Sequence, residues 1–176
     1  MLRLYHVPLS PFCRKVRLVL AEKKMDVELI EERYWEQSTE FLRRNPAGKV
    51  PILRHQGALL TESTPICEYI EELNPEPSLI PNDAEARYEM RRLVSWFDDK
   101  FHHEVTSNLL YERVNKKVSG QGFPDSKDYI SDVDWNRSSV VKDWYAKIKS
   151  RPAFRNILSD QVSGFPPPRH YNDLDF

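Results

Sequence analysis

Three short stretches carry side chains whose types and spacing could do chemistry. The first is Ser10-Pro11-Phe12-Cys13, between an apolar run and a helical pattern. A helix N-terminus presents unpaired N–H groups and the positive end of the dipole, so a thiolate is stabilised there and a thiol's pKa falls. A serine at that position can also donate a hydrogen bond to a thiolate brought by a ligand. Equally, Ser10 can be a plain helix cap and Cys13 a small buried residue. The second is Lys49-Val50-Pro51, where proline stands at the first position of a strand. With a cis bond the turn would expose the N–H and C=O of Val50 as an edge for a peptide-like ligand; with a trans bond Pro51 merely opens an edge strand. The third is Thr61-Glu62-Ser63-Thr64 at a helix start. Glu62 and Ser63 can cap that helix, or Ser63 and the free N–H groups can hold a ligand carboxylate while Glu62 holds an ammonium.

The elements that must position these stretches follow from the pattern. Residues 2–6 read as a strand, ended by Pro8, Ser10 and Pro11. Phe12, Val16, Val19 and Leu20 then recur at helical spacing up to Lys24. Residues 27–30 read as a second strand, and residues 36–44 as a polar, exposed helix stopped by Asn45-Pro46. Residues 50–53 and 58–60 flank His55-Gln56-Gly57 as a hairpin. A helix with Ile66, Tyr69 and Ile70 on one face follows. The order is βαβ, then αββα. Residues 74–83, with Pro75, Pro77 and Pro81, form a linker. Beyond it strand signals nearly vanish. Residues 84–117 are one long helical pattern with a stripe of Met90, Val94, Phe97, Phe101 and Val105. Residues 138–149 and 153–159 are shorter helices, the first with an apolar face of Val141, Trp144, Tyr145 and Ile148. The reading is an α/β domain at 1–78 joined to an all-α domain at 84–176 that ends in an extended tail, 164–176.

Composition narrows the function. Across 176 residues, 26 Lys and Arg stand against 27 Asp and Glu. No basic arm is present, which argues against nucleic acid as a partner. Two cysteines are too few for a disulfide framework or a thiolate zinc site. His102 and His103 are adjacent, so they face different sides of a helix, and His6, His55 and His170 have no ligand set at recognisable spacing; no metal is expected. No run approaches the ~20 apolar residues of a membrane span, and no signal-type leader opens the chain. The expectation is a cytoplasmic protein with no membrane contact.

Taken in order, the motifs SPFCRKVR, NPAGKVPIL and LTESTPICEYIEE resemble those of the glutathione transferase superfamily, over the first 80 residues. The resemblance implies a thioredoxin-like first domain, with Ser10 to Cys13 standing where thioredoxin has CxxC and serine in the first place. It implies glutathione as co-substrate and no metal. By resemblance Ser10 stabilises the glutathione thiolate, Val50 pairs its backbone with the cysteinyl part beside a cis Pro51, and Glu62 and Ser63 hold the γ-glutamyl end. Lys49 and Arg14 are candidates for the glycyl carboxylate and the local positive field. The implied reaction joins that thiolate to an electrophilic carbon of an apolar compound, and the implied assembly is a homodimer. Cys13 is expected to face the core.

The second half resembles a narrower bacterial group. RRLVSWFDDKFHHEV, DVDWNRSSVVKDWYAKIKSRPAFRNIL and PPPRHYNDLDF look like glutathione-transferase-like proteins that bind filaments of the division GTPase FtsZ. The alternative function is therefore a non-catalytic binding module, with exposed Tyr34 and Trp35, and Asp173 and Asp175 in the tail, as partner contacts. For Trp35 the other reading is packing over the ligand cleft, and for the tail a chain tied down by Tyr171, Leu174 and Phe176. The resemblance breaks at Ser126-Lys127. Several dozen residues that the family carries between Asp125 and Tyr129 have no counterpart, through a deletion or through an omitted segment, the second being favoured. A deletion would leave the stripe of the long helix poorly covered.

Overall fold

The computed structural model describes residues 1–116, 120 and 135–160. Leu2–His6 forms strand β1 and Val27–Glu31 strand β2, joined through helix α1, Pro11–Glu22. The two strands run parallel, as a helical crossover requires. Ile52–His55 (β3) lies antiparallel to β1, and Ala58–Thr61 (β4) antiparallel to β3. The sheet order is β2-β1-β3-β4. With the helix that follows β4, this is the thioredoxin-like arrangement expected from the sequence.

The two-residue period of a strand splits the core in two. Leu2, Leu4 and Leu53 bury one face of the sheet against Val16 and Leu20 of α1 and Ile66 and Ile70 of α3, Ser63–Leu73. Tyr5 and Ile52 bury the other face with Phe41 of α2, Thr39–Arg44. The hairpin turns on Gln56 and Gly57, both at positive φ, which matches the twist of the flanking strands. β3 starts two residues later than the pattern suggests because Pro51 has no N–H for the ladder.

Two local expectations need correction. The region expected as one exposed helix, 36–44, is a 3-10 turn at Tyr34–Glu36 followed by α2. Gln37 adopts φ 46° between them, and Ser38 restarts the helix by accepting from the Phe41 amide. Nor is α2 exposed throughout, since Phe41 is fully buried.

Residues 80–137 form one compact unit, and residues 1–79 with those from 138 onward form the other. In the first, α4 (Ala84–Trp96) begins at Asp83, whose side chain accepts from the Ala86 amide at 2.8 Å. The same rod continues in wider π winding through Phe97–Thr106, a short α5 (Ser107–Leu110) and a further π stretch at Tyr111–Asn115. Its stripe is poorly covered: Phe97 is 51 % and Val105 37 % exposed. Trp96, Phe97 and Phe101 stack on one another with centroids 4.9 to 5.7 Å apart.

In the other unit, α6 (Ser139–Lys149) and α7 (Pro152–Leu158) group with the first 79 residues. The expected apolar face of α6 is only partly covered, for Val141 and Trp144 are exposed, whereas Lys149 is buried with its Nζ 5.7 Å from the Tyr145 ring centre. Ion pairs hold α7 to α1. Arg17 makes a two-pronged contact with Asp160, at 2.7 and 2.8 Å, and donates to the Asn156 carbonyl at the end of α7. Arg151 pairs with Glu22. His6 is buried near this network, and its Nδ1 makes no hydrogen bond among the described residues. Burial, and then the Arg17 charge, lower its pKa from 6.5 to about 4, against the opposing pull of Asp160.

The linker is anchored as well. Lys23, at the end of α1, is buried with Nζ 2.6 Å from Glu71 Oε2 and donates to the carbonyls of Pro75 and Pro77. Burial pushes the Glu71 carboxyl up, but Lys23, the Leu79 amide and the Ser78 hydroxyl together hold it below its ordinary range.

These contacts give two expectations. Lys23→Met strands Glu71 and two carbonyls, and should lower unfolding stability by about 3 kcal/mol, read as a lower urea midpoint. His6 is neutral when folded and binds a proton more readily when unfolded, so its contribution is present above its ordinary pKa of 6.5 and is lost as pH falls toward about 4. Stability should drop by about 2 kcal/mol from His6 alone between about pH 7 and about pH 5, and His6→Gln should flatten that part of the pH profile.

Candidate functional site

A single cross-strand row fixes the geometry. Tyr5 pairs with Ile52, and Ile52 pairs with Thr61. Because β3 runs opposite to β1 and β4 opposite to β3, the end of β1, the start of β3 and the end of β4 lie at the same end of the sheet. The three stretches singled out in the sequence all leave or enter the sheet there. Ser10 follows β1, Val50-Pro51 precedes β3, and Glu62-Ser63 follows β4.

Ser10 ends a tight turn, its amide donating to the Val7 carbonyl at 3.1 Å. With φ −70° and ψ 122° it is the N-cap of α1, and Pro11 takes the first helical position, where no N–H is needed. Its Oγ accepts from the Cys13 amide at 3.3 Å, and its carbonyl from the Arg14 amide. Cys13 is fully buried, with Sγ accepting from the Val7 amide at 3.5 Å. Burial pushes its thiol pKa up despite the lowering effects of Ser10, the Val7 amide and Arg17. Cys13 therefore faces the core as a thiol, and Ser10 is left as the polar group at the helix start.

The Val50–Pro51 peptide bond is cis. Val50 packs against the Tyr5, Phe41 and Ile52 cluster, and Pro51 is buried. The loop before them is built by side-chain amides. Asn45 donates to the Lys49 carbonyl at 2.8 Å and accepts from the Ala47 amide, while Gln37 donates to the Gly48 carbonyl. Gly48 has φ +63°, and a Cβ there would meet Gln37 Oε1 at 2.3 Å, so a larger residue would be strained and would displace the Gln37 amide. Lys49 is exposed.

Glu62 occupies the N-cap of α3 but makes no side-chain cap bond; its backbone stands at φ 67°, ψ 123°. Capping by the Glu62 side chain, one of the two readings of this stretch, is not what forms. A non-glycine residue at positive φ is strained, and such strain clusters where a ligand is held. Its carboxylate is exposed, whereas Ser63 is buried beside it. Lys15 donates to Thr64 Oγ1 at 2.9 Å, tying α1 to the start of α3.

The remaining candidates fall elsewhere. Arg14 is engaged inside the protein, its Nε donating to the Pro8 carbonyl at 2.7 Å and its Nη2 3.8 Å from Asp160. Tyr34 and Trp35 are half-buried rather than exposed, because Tyr34 packs on the Tyr5 cluster and Trp35 lies edge-on to it at 5.5 Å. Burial and then Cys13 raise the Tyr34 pKa. Asp173 and Asp175 lie outside the described residues, as do the tail and the join at Ser126-Lys127. Sequence reasoning missed Asp160 and the role of Arg17. They are 143 residues apart, and no local pattern links them.

The glutathione S-transferase N-terminal domain model matches residues 4–78. FtsZ-localized protein A of Caulobacter vibrioides is 36 % identical over 222 aligned positions, covering 98 % of this chain and 97 % of that protein. Set against 176 residues, that alignment leaves at least 46 positions of the relative with no counterpart here. A crystal structure of a glutathione S-transferase from Rhodospirillum rubrum F11 superposes with a TM-score of 0.93 at 40 % identity, over the whole of both chains. FzlA from C. crescentus superposes with a TM-score of 0.91 at 34 % identity, over 99 % of both. On these likenesses and on its thioredoxin-like sheet, the chain belongs to the glutathione S-transferase superfamily.

Proposed function

We propose that this protein binds glutathione beyond the Tyr5–Ile52–Thr61 row and conjugates its thiolate to apolar electrophiles. The observation that carries the reading is the state of Ser10. Its oxygen already accepts from the Cys13 amide, so the hydroxyl proton is the part left to offer a ligand. At a helix N-terminus that proton and the local dipole favour a thiolate over a thiol. Val50 supplies backbone groups for the cysteinyl unit. Glu62 and Ser63 take the ammonium and carboxylate of the γ-glutamyl end. Lys49 is the free cation for the glycyl carboxylate, and Arg14 contributes to the positive field from behind the Pro8 carbonyl.

In the reaction, the sulfur pair forms a bond to the electrophilic carbon. A leaving group departs with its electrons, or the adduct takes a proton from water. The protein contributes thiolate stabilisation and proximity and forms no covalent intermediate. A homodimer in the cytoplasm fits the family. Ser10→Ala should lower kcat/KM for conjugation about 100-fold. The lost cap should cost only about 1 kcal/mol of stability. Full turnover in the folded variant would reduce Ser10 to a cap and sink the mechanism.

A second reading is favoured by the likeness to FtsZ-localized protein A over nearly the full length of both chains. Here the protein binds FtsZ filaments in cell division, through Trp35, the neighbouring Tyr34, and Asp173 and Asp175. It should pellet with polymerised FtsZ, and both Trp35→Ala and truncation after Pro168 should reduce the pelleted fraction while glutathione binding persists. Unaltered pelleting by both variants would remove these residues as contacts.

A further inference from the structure

The turn that carries Ser10 has one side-chain tether on its outer carbonyl. Arg14 Nε donates to Pro8 O at 2.7 Å, two residues before Ser10. Arg14 in turn faces Asp160, whose Oδ2 lies 3.8 Å from Nη2, and the same carboxylate grips Arg17 with both oxygens. Arg14 and Arg17 lie on α1 and Asp160 directly after α7, so one carboxylate stands within ion-pairing distance of two α1 guanidinium groups. The Asp160 and Arg17 side chains are 12 % and 8 % exposed, so solvent screens this network little.

We propose that Asp160 is a positioning residue for Ser10, acting through Arg14 on the Pro8 carbonyl and so on the turn that aims the Ser10 hydroxyl. The link to thiolate chemistry rests on the glutathione reading above; the link to the turn does not. Two amides report on the turn directly. Ser10 N–H is bonded to the Val7 carbonyl and Cys13 N–H to Ser10 Oγ. A carboxylate that merely docked α7 on α1 through Arg17 would leave both unchanged when Arg14 is cut away.

The test is amide hydrogen exchange on the full chain, followed by titration of glutathione bound to it. Asp160→Asn should speed exchange at Ser10 and Cys13 about fivefold, the scale of one part-buried ion pair, and leave Leu20 within about twofold. Arg14→Met keeps the Arg17–Asp160 pair and serves where Asp160→Asn folds poorly. It should give the same acceleration, and adding Asp160→Asn to it should add nothing further. Unchanged exchange at both amides in folded Arg14→Met overturns the proposal, as does an additive double variant. With glutathione bound, the ultraviolet thiolate signal of Asp160→Asn should titrate higher than in the parent protein, and that shift should vanish in a Ser10→Ala background. A shift that persists without Ser10 overturns the route through the hydroxyl. Parent protein that binds no glutathione overturns the conjugation reading instead, and the exchange result then decides the tether by itself.

Discussion

The row Tyr5–Ile52–Thr61 is the constraint on which the site depends. It is the last rung of the ladder before Pro51, which cannot donate a further bond. The three candidate stretches stand within a few residues beyond it. The register is protected from both sides of the sheet: Leu4 and Leu53 are buried against α1 and α3, Tyr5 and Ile52 against α2. A slip of one residue would turn all four to the wrong face. The loops beyond it start from a register that burial protects and are then shaped by side-chain bonds, from Asn45 and Gln37 before Val50 and from Arg14 to the Pro8 carbonyl. Of the candidate side chains, Glu62 is exposed and Ser10 half-buried, while Ser63 is buried beside Glu62.

Charge is used differently. The buried or near-buried cations Arg17 and Lys23 each answer a carboxylate distant in sequence and donate to backbone carbonyls, near the end of α7 and in the linker respectively. Paired charges of this kind add little net stability over an apolar filling, but breaking one is expensive. Their effect is to specify where a segment lies. Lys23 does so for residues 75–79, and Arg17 for the end of α7. Hydrophobic contacts, which lack direction, would tolerate either segment sliding.

Much of this was legible in the sequence. Local signals sufficed where the physics is local. Ser10-Pro11 marks a helix start, Gln56-Gly57 a hairpin, and the spacing of Val16, Leu20, Ile66 and Ile70 the covered face. Resemblance supplied the joint meaning of Ser10, Val50-Pro51 and Glu62-Ser63, which no single stretch carried. Three things were not legible. Gln37 and Ser38 break the helix expected at 36–44 through side-chain bonds that compete with helical ones. Tyr34 and Trp35 read as exposed because the Tyr5 cluster that covers Tyr34 is assembled from four separate stretches. Asp160 was invisible because its partners lie on α1, at the other end of the chain.

The second half poses a different physical problem. The rod from Ala84 to Asn115 has no buried apolar side chain among its described residues, and Trp96, Phe97 and Phe101 gather on it as an exposed apolar patch. FtsZ-localized protein A carries at least 46 aligned positions that this chain does not. The π winding at 97–106 occurs in this same stretch, none of whose residues is buried. Ser10, Val50 and Ser63 belong to the other compact unit, so this open helical face does not bear on the sheet register that carries them. In the proposed function, thiolate binding therefore draws on a sheet register that burial protects and not on the helical face that the described residues leave open.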